Sequence, residues 1–187
     1  MIFYRIFIKI YTAIEQFYNK SVLEVCKQKG LIIGKNVRFE GRIYFGSEPF
    51  LIEIGDNTGL ADGVRFINHG GTTTYLRRLK GYEDARIFGR IKVGKNCLLG
   101  LNSVITENVE IGDNCILGSN SVLTQSMPSN TVFAGNPAQY ICTIEEYGDI
   151  ILNKNTIYPR ELEANKQKLD AYLKENIPHK YKKAKKK

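Results

Sequence analysis

Histidine is nearly missing from this 187-residue chain: only His69 and His179 occur. A zinc centre built on three imidazoles therefore has no ligand set, and no metal is expected. Cysteine is sparse too, and Cys26, Cys97, Cys115 and Cys142 form no C-x-x-C pair. No glycine-rich loop of the Walker or dinucleotide type occurs. Long apolar runs are also lacking. The richest stretch, residues 2–18, is interrupted by Arg5, Lys9 and Glu15 and is too short and too charged to span a bilayer. No basic region precedes it, as one would in a signal peptide, so the cytosol is the expected compartment. The body also has little excess charge. The formal net charge is +8, but Lys180, Lys182, Lys183, Lys185, Lys186 and Lys187 supply six of it, leaving +2 for the rest. Basic character is a property of the tail, and no nucleic-acid partner is expected.

What is present is a period. From Val93, every sixth residue is a branched aliphatic: Val93, Leu99, Ile105, Ile111, Leu117 and Leu123. Gly94, Gly100, Gly112 and Gly118 follow four of them. Four residues after each aliphatic comes Cys97, Ser103, Val109, Cys115, Ser121 or Met127, mostly small or apolar. A fixed self-similar spacing marks a stacked repeat. A helix does not fit, because six residues turn it about 240° past a full circle and scatter the aliphatics over three faces. A flat sheet fits the even period but not the glycines. Short strands joined by corners, with glycine supplying positive φ at each corner, explain both. Three such sides close an eighteen-residue coil. Stacked coils place Val93 under Ile111, Leu99 under Leu117 and Cys97 under Cys115, about 4.8 Å apart. That spacing would admit a disulfide, but two reduced core thiols are the preferred reading.

The unit Val93-Gly94-Lys95-Asn96-Cys97-Leu98 and its successors resemble the repeat of the hexapeptide-repeat acyltransferases. The resemblance spans roughly residues 31–142 and implies an all-β solenoid, a left-handed parallel β-helix. The handedness comes from the resemblance alone, since it opposes the usual right-handed crossover.

Taken in order, residues 1–30 read as an N-terminal amphipathic helix, with Phe3, Phe7, Ile10, Ile14 and Phe17 at three-four spacing. It is expected to dock on its own solenoid or a sister subunit; interfacial membrane contact is the second reading. Residues 31–142 form the β-helix. Phe39, Phe45 and Leu51 continue the phase after Ile33, and a three-residue shift near Glu48-Pro49 resets it at Ile54, Leu60 and Phe66. After Phe66 the sixfold count points to Thr72, yet the next aliphatic to carry the phase is Ile87. The stretch 67–86 is therefore a loop excursion and a natural carrier of function. The period is expected to resume at Ile87. Residues 127–138, ending in Asn136-Pro137-Ala138, resemble the family's terminal signature, after which the chain leaves the solenoid. Residues 143–187 read as a C-terminal helical segment, with Leu162, Leu169 and Leu173 on one side, and a lysine-rich tail.

His69 opens the excursion, flanked by Asn68 and the pair Gly70-Gly71, where the family's catalytic histidine lies. The resemblance implies a general base, since an acceptor hydroxyl attacks a thioester slowly until its proton is removed. Backbone N–H groups of Gly70 and Gly71 are candidate oxyanion donors. Polysaccharide-modifying relatives carry an aspartate after this histidine; here Gly70 stands there. Glu83 or Asp84 is expected to take over that carboxylate's task. Asn68, Arg77, Glu83 and Asp84 are the expected substrate contacts. The family's donor is acetyl-CoA, held in a groove between subunits of a homotrimer, and the matching positions are Leu101, Ser119, Thr124 and Gln125. Basic residues that often follow the terminal alanine are replaced here by Gln139 and Cys142.

The expected activity is acetyl transfer from acetyl-CoA to a saccharide hydroxyl in surface polysaccharide or glycan assembly. The expected setting is cytoplasmic, with peripheral contact to the inner membrane face or an anionic glycan. Two alternatives stay open: N-acetylation of an amino sugar or nucleotide-linked amino sugar, and a non-catalytic β-helix scaffold. The zinc-dependent β-helices of carbonic-anhydrase type would need three histidines.

Overall fold

A two-residue strand cannot hold itself, and each strand here is two or three residues long through the repeat. Stability comes from stacking each on its equivalent in the next coil. The computed structural model describes residues 2–154 and 158–177; His179 and the lysine run 180–187 lie outside. The chain divides into two units, residues 1–147 and 148–187.

The first unit opens with helix α1, Ile2–Gln28. Then come β1 (Ile32–Ile33), β2 (Arg38–Phe39), a 3-10 turn at Pro49–Leu51, β3 (Ile52–Ile54), β4 (Gly59–Leu60) and β5 (Arg65–Phe66). After a loop bearing the short helix α2 (Thr73–Leu76) follow β6 (Ile91–Val93), β7 (Leu98–Leu99), β8 (Val104–Ile105), β9 (Val109–Ile111), β10 (Ile116–Leu117) and β11 (Val122–Leu123). The strands sort into three parallel sheets, one per side of a triangular coil: β1-β3-β6-β9, β2-β4-β7-β10 and β5-β8-β11. The expected columns hold. Ile33, Ile54, Val93 and Ile111 are in register, as are Phe39, Leu60, Leu99 and Leu117, and Phe66, Ile105 and Leu123. From Ile54 onward these column residues are all buried, each worth roughly 1.5–3 kcal/mol of hydrophobic stabilisation. The first coil is aromatic inside: the Phe45 and Phe66 rings stack with centroids 5.8 Å apart, and Phe39 meets Phe45 edge-on at 6.2 Å.

The corners differ from expectation. Gly94, Gly100, Gly112 and Gly118 are not in the positive-φ region; asparagines are. Asn36, Asn57, Asn96, Asn102, Asn108, Asn114, Asn120 and Asn130 have φ between 54° and 64°. Asparagine tolerates this region better than other non-glycine residues. Five of them form a ladder up one corner, each amide donating to the next: Asn36 to Asn57 (3.1 Å), Asn57 to Asn96 (3.3 Å), Asn96 to Asn114 (3.1 Å) and Asn114 to Asn130 (2.9 Å). The repeat glycines serve closeness. A Cβ on Gly100 would sit 2.5 Å from the Ser119 backbone nitrogen, and one on Gly94 2.6 Å from the Gly112 carbonyl oxygen. Cys97 and Cys115 are free, buried thiols, donating to the carbonyls of Gly112 and Pro128 at 3.1 Å each.

The solenoid does not simply end after its last coil. Strand β12, Thr131–Gly135, adds to β10, and the chain turns back as β13, Ala138–Thr143, antiparallel on β12. The reversed strand covers β12's open edge. Helix α3, Ile144–Lys154, follows. In the second unit, a 3-10 turn at Arg160–Ala164 precedes α4, Lys166–Asn176. Asn165 breaks the expected continuous helix: its backbone is extended, and its side chain caps α4 by accepting from Lys168 N at 3.1 Å.

Candidate active site

The coil period is interrupted twice, and both interruptions fall at one corner. The uninterrupted coil runs from Val93 to Ile111. The same count from Ile33 would end at Leu51, and from Ile54 at Thr72. The structure instead stacks Ile33 on Ile54 and Ile54 on Val93. The short insertion of the first coil falls at Gly46 to Leu51, after Phe45. The long insertion of the second falls after Phe66. Tyr44 pairs with Arg65, so Phe45 and Phe66 are neighbours in one column, and the two insertions stack.

Their contact makes the site. His69 Nδ1 lies 2.8 Å from Glu48 Oε2. An ionised carboxylate only accepts, so Nδ1–H donates and the lone pair sits on Nε2. Nε2 has no protein partner among the described residues. The pair is partly open, with side-chain exposures of 37% for His69 and 22% for Glu48. The ring's face is flanked by Phe88, with centroids 5.8 Å apart.

Asn68 braces this arrangement from beneath. It was expected to touch substrate, but it is fully buried and its amide donates to the Glu48 backbone carbonyl at 2.7 Å. It fits there because residue 46 has no side chain: a Cβ on Gly46 would stand 2.5 Å from Asn68 Oδ1. A second correction concerns the carboxylate. Neither Glu83 nor Asp84 partners the ring. Glu83 turns back on its own loop and accepts from Gly81 N at 2.9 and 3.0 Å. Backbone N–H groups at residues 83 and 81 hold its carboxyl below the usual range. Asp84 is exposed and makes no bond to His69. Arg77 is half-buried and donates to Thr74 Oγ1 at 3.2 Å.

The loop closes on itself at its neck. His69 pairs with Phe88 in an antiparallel bridge, and Gly89 N donates to Asn68 O at 3.0 Å. Ile87 therefore belongs to the neck, not to the coil; the buried period resumes at Ile91 and Val93. Gly70 N is taken up by Ile87 O at 3.3 Å, and a Cβ on Gly70 would run into Ile87 Cγ2. An aspartate at 70 would have to displace the Ile87 side chain. Gly71 N–H has no partner among the described residues.

The expected donor contacts lie along the edges of sheet β5-β8-β11. Leu101 and Ser119 precede β8 and β11; Thr124 and Gln125 follow β11, on the edge that His69 extends. Leu101, Ser119, Thr124 and Gln125 are all exposed. Gln125 Nε2 donates to Ala138 O at 3.3 Å and Gln139 Oε1 at 3.4 Å, so the terminal hairpin holds it. Neither of the hollows of about 940 and 380 Å³, beside α1 and on sheet β1-β3-β6-β9, is lined by His69 or Glu48. The site is an open corner of the chain. Glu48 is the residue that sequence reasoning missed. The signal lay in the spacing: two insertions one coil apart must stack, and the first contains a carboxylate.

Comparison with known proteins agrees with this architecture. A family model described as a hexapeptide repeat of succinyl-transferase matches residues 90–125. The chain is 42% identical over 145 residues to Protein CapG of Staphylococcus aureus, covering 76% of this chain and 83% of the relative. Among solved structures, a maltose O-acetyltransferase from Clostridium difficile 630 is similar at 23% identity and TM-score 0.54, covering 72% of this chain and 84% of that one. A hexapeptide-repeat-containing acetyltransferase from Vibrio cholerae is similar at 20% identity and TM-score 0.52, covering 67% and 81%. A structure of such an enzyme complexed with acetyl coenzyme A, from Vibrio cholerae O1 biovar eltor, is similar at 25% identity and TM-score 0.53, covering 59% and 58%. The shared fold is the left-handed parallel β-helix.

Proposed function

The chain belongs to the hexapeptide-repeat acyltransferases, and on that premise we propose that it transfers an acetyl group from acetyl-CoA to a saccharide hydroxyl, with His69 as general base. The observation that carries this reading is the 2.8 Å contact between Glu48 and His69 Nδ1. With Nδ1–H donating to the carboxylate, the neutral ring carries its lone pair on Nε2, the tautomer a base needs.

The acceptor hydroxyl approaches Nε2 and loses its proton as its oxygen attacks the thioester carbonyl carbon. The C–O bond forms, and the carbonyl oxygen takes up negative charge. Gly71 N–H, a backbone donor without a partner among the described residues, meets that charge. Collapse of the intermediate breaks the C–S bond, and the imidazolium returns its proton to the departing thiolate. Glu48 holds the ring in the right tautomer and stabilises the imidazolium by a charge-assisted hydrogen bond. Loop residues Arg77, Glu83 and Asp84 face the acceptor. Leu101, Ser119, Thr124 and Gln125 line the donor groove, which a neighbouring subunit of a homotrimer completes; this is why one subunit offers an open corner and not a pocket.

The test is acetyl-CoA turnover over a panel of sugars and oligosaccharides, read as thiol release. His69→Ala is expected to lower kcat by about 10²- to 10⁴-fold while calorimetric binding of coenzyme A is unchanged. Near-full turnover in this variant on the preferred acceptor overturns the assignment. Absence of coenzyme A binding at millimolar concentration overturns acetyl transfer altogether.

A further inference from the structure

Helix α1 carries a face that the solenoid does not use. Its inward side is settled: Leu23 and Cys26 pack against the core, Glu15 takes Arg42 at 3.1 Å, and the Arg42 guanidinium lies 5.7 Å from the Tyr18 ring centroid. Over residues 3–14 every side chain is exposed, and most of them are apolar. Phe3 is 87% exposed, Phe17 75% and Phe7 68%, with Ile6, Ile10 and Ile14 also exposed. At 100° per residue, the exposed apolar side chains from Ile6 round to Ile8 cover an arc of about 200°. Over residues 3–18, Glu15 is the only charged residue within it, and Arg42 holds that carboxylate.

We infer that α1 lies in the surface of an anionic phospholipid bilayer, with this face among the headgroups and upper acyl chains and its cations against lipid phosphates. Three observations select that occupant. The first is breadth. A helix docked on one partner buries a stripe of roughly 100°, whereas a helix half-sunk in an interface covers about half its circumference. The second is charge. Arg5, Lys9 and Lys20 occupy the remaining arc and have no carboxylate within ion-pair distance among the described residues, while Lys27 is paired with Glu24. Anionic headgroups complement these three cations. The third is the tyrosines: Tyr4, Tyr11 and Tyr18 recur at seven-residue spacing and are exposed, so amphipathic rings run in a line along the apolar arc, a composition an interface favours. No described helix is long and apolar enough to cross a membrane, so α1 lies on the surface rather than spanning it.

The test is cosedimentation of the full chain with vesicles of phosphatidylcholine alone and with about 30 mol% phosphatidylglycerol. The wild-type chain is expected to partition onto the anionic vesicles and more weakly onto the neutral ones. Phe7→Ser with Ile14→Ser is expected to lower partitioning at least about tenfold. Arg5→Ser with Lys9→Ser is expected to remove about tenfold of the preference for anionic lipid. All four side chains are exposed, so both variants should keep the wild-type melting temperature and their turnover on a soluble acceptor, which separates this inference from the transfer reaction. A wild-type chain that stays in the supernatant overturns it. So does binding that survives Phe7→Ser with Ile14→Ser but vanishes on removal of residues 180–187. Loss of oligomer mass in the Phe7/Ile14 variant, with no vesicle binding by the wild type, assigns the face to a second copy and equally overturns the inference.

Discussion

Replacing Glu48 by glutamine separates orientation from charge at the site. The amide oxygen can still accept from His69 Nδ1–H, so the tautomer is kept, but the negative charge opposite the imidazolium is gone. A hydrogen bond to a charged group is worth about 1.5–3 kcal/mol. Both side chains here are partly open to water, at 37% and 22% exposure, and solvent screening reduces the figure to about 1–2 kcal/mol. This is felt when the ring is protonated, in the transition state. The expected result is a fall in kcat of roughly 5- to 30-fold, with KM for acetyl-CoA unchanged and the melting temperature within about 2 °C of wild type. Glu48→Ala, which loses the acceptor as well, should fall further, but not as far as His69→Ala. Steady-state turnover with the donor and acceptor varied in turn is the assay. If Glu48→Gln keeps full kcat, or loses only donor affinity, the carboxylate does not support the base and the mechanism built on it fails.

Asn68→Ala should destabilise the chain by about 0.5–1.5 kcal/mol, because the partly buried Glu48 carbonyl loses its donor; denaturant unfolding measures this, and kcat should fall along with it as Glu48 loosens. Gly100→Ala should cost about 1–3 kcal/mol by overpacking against the Ser119 backbone, although its φ suits alanine; no loss in a denaturant titration would refute the close-stacking account. Leu117→Ala, in a fully buried column, should cost about 2–5 kcal/mol by the same titration.

The solenoid was readable because its period is arithmetic. Each aliphatic from Val93 to Leu123 is buried and in register as the sixfold count requires. The role of the glycines was not readable. A glycine at every corner satisfies positive φ and close approach equally well in a sequence, and only the backbone separates them, giving positive φ to asparagine and closeness to glycine. His69 stood out as the one histidine of the repeat region. Its partner did not, because Glu83 and Asp84 stand closer to it along the chain than Glu48 does. In a stacked coil, separation in space follows coil number and corner. Glu48 is one coil back at the same corner and so meets the ring, while Glu83 folds onto Gly81 further out in the loop.

The neck of the loop has a consequence for how such a chain can change. Because Gly89 N meets Asn68 O, the solenoid continues across the neck almost as if residues 69–88 were not there. Loop length costs little in closure entropy, which grows only with the logarithm of its size. Residues in the outer part of the loop can be added, removed or exchanged without moving any column of the core. Glu48, Asn68 and the ring of His69 are held by the coil corners beneath, outside that variable part. The outer loop can therefore diverge among descendants of one such chain while the Glu48–His69 contact is inherited unaltered.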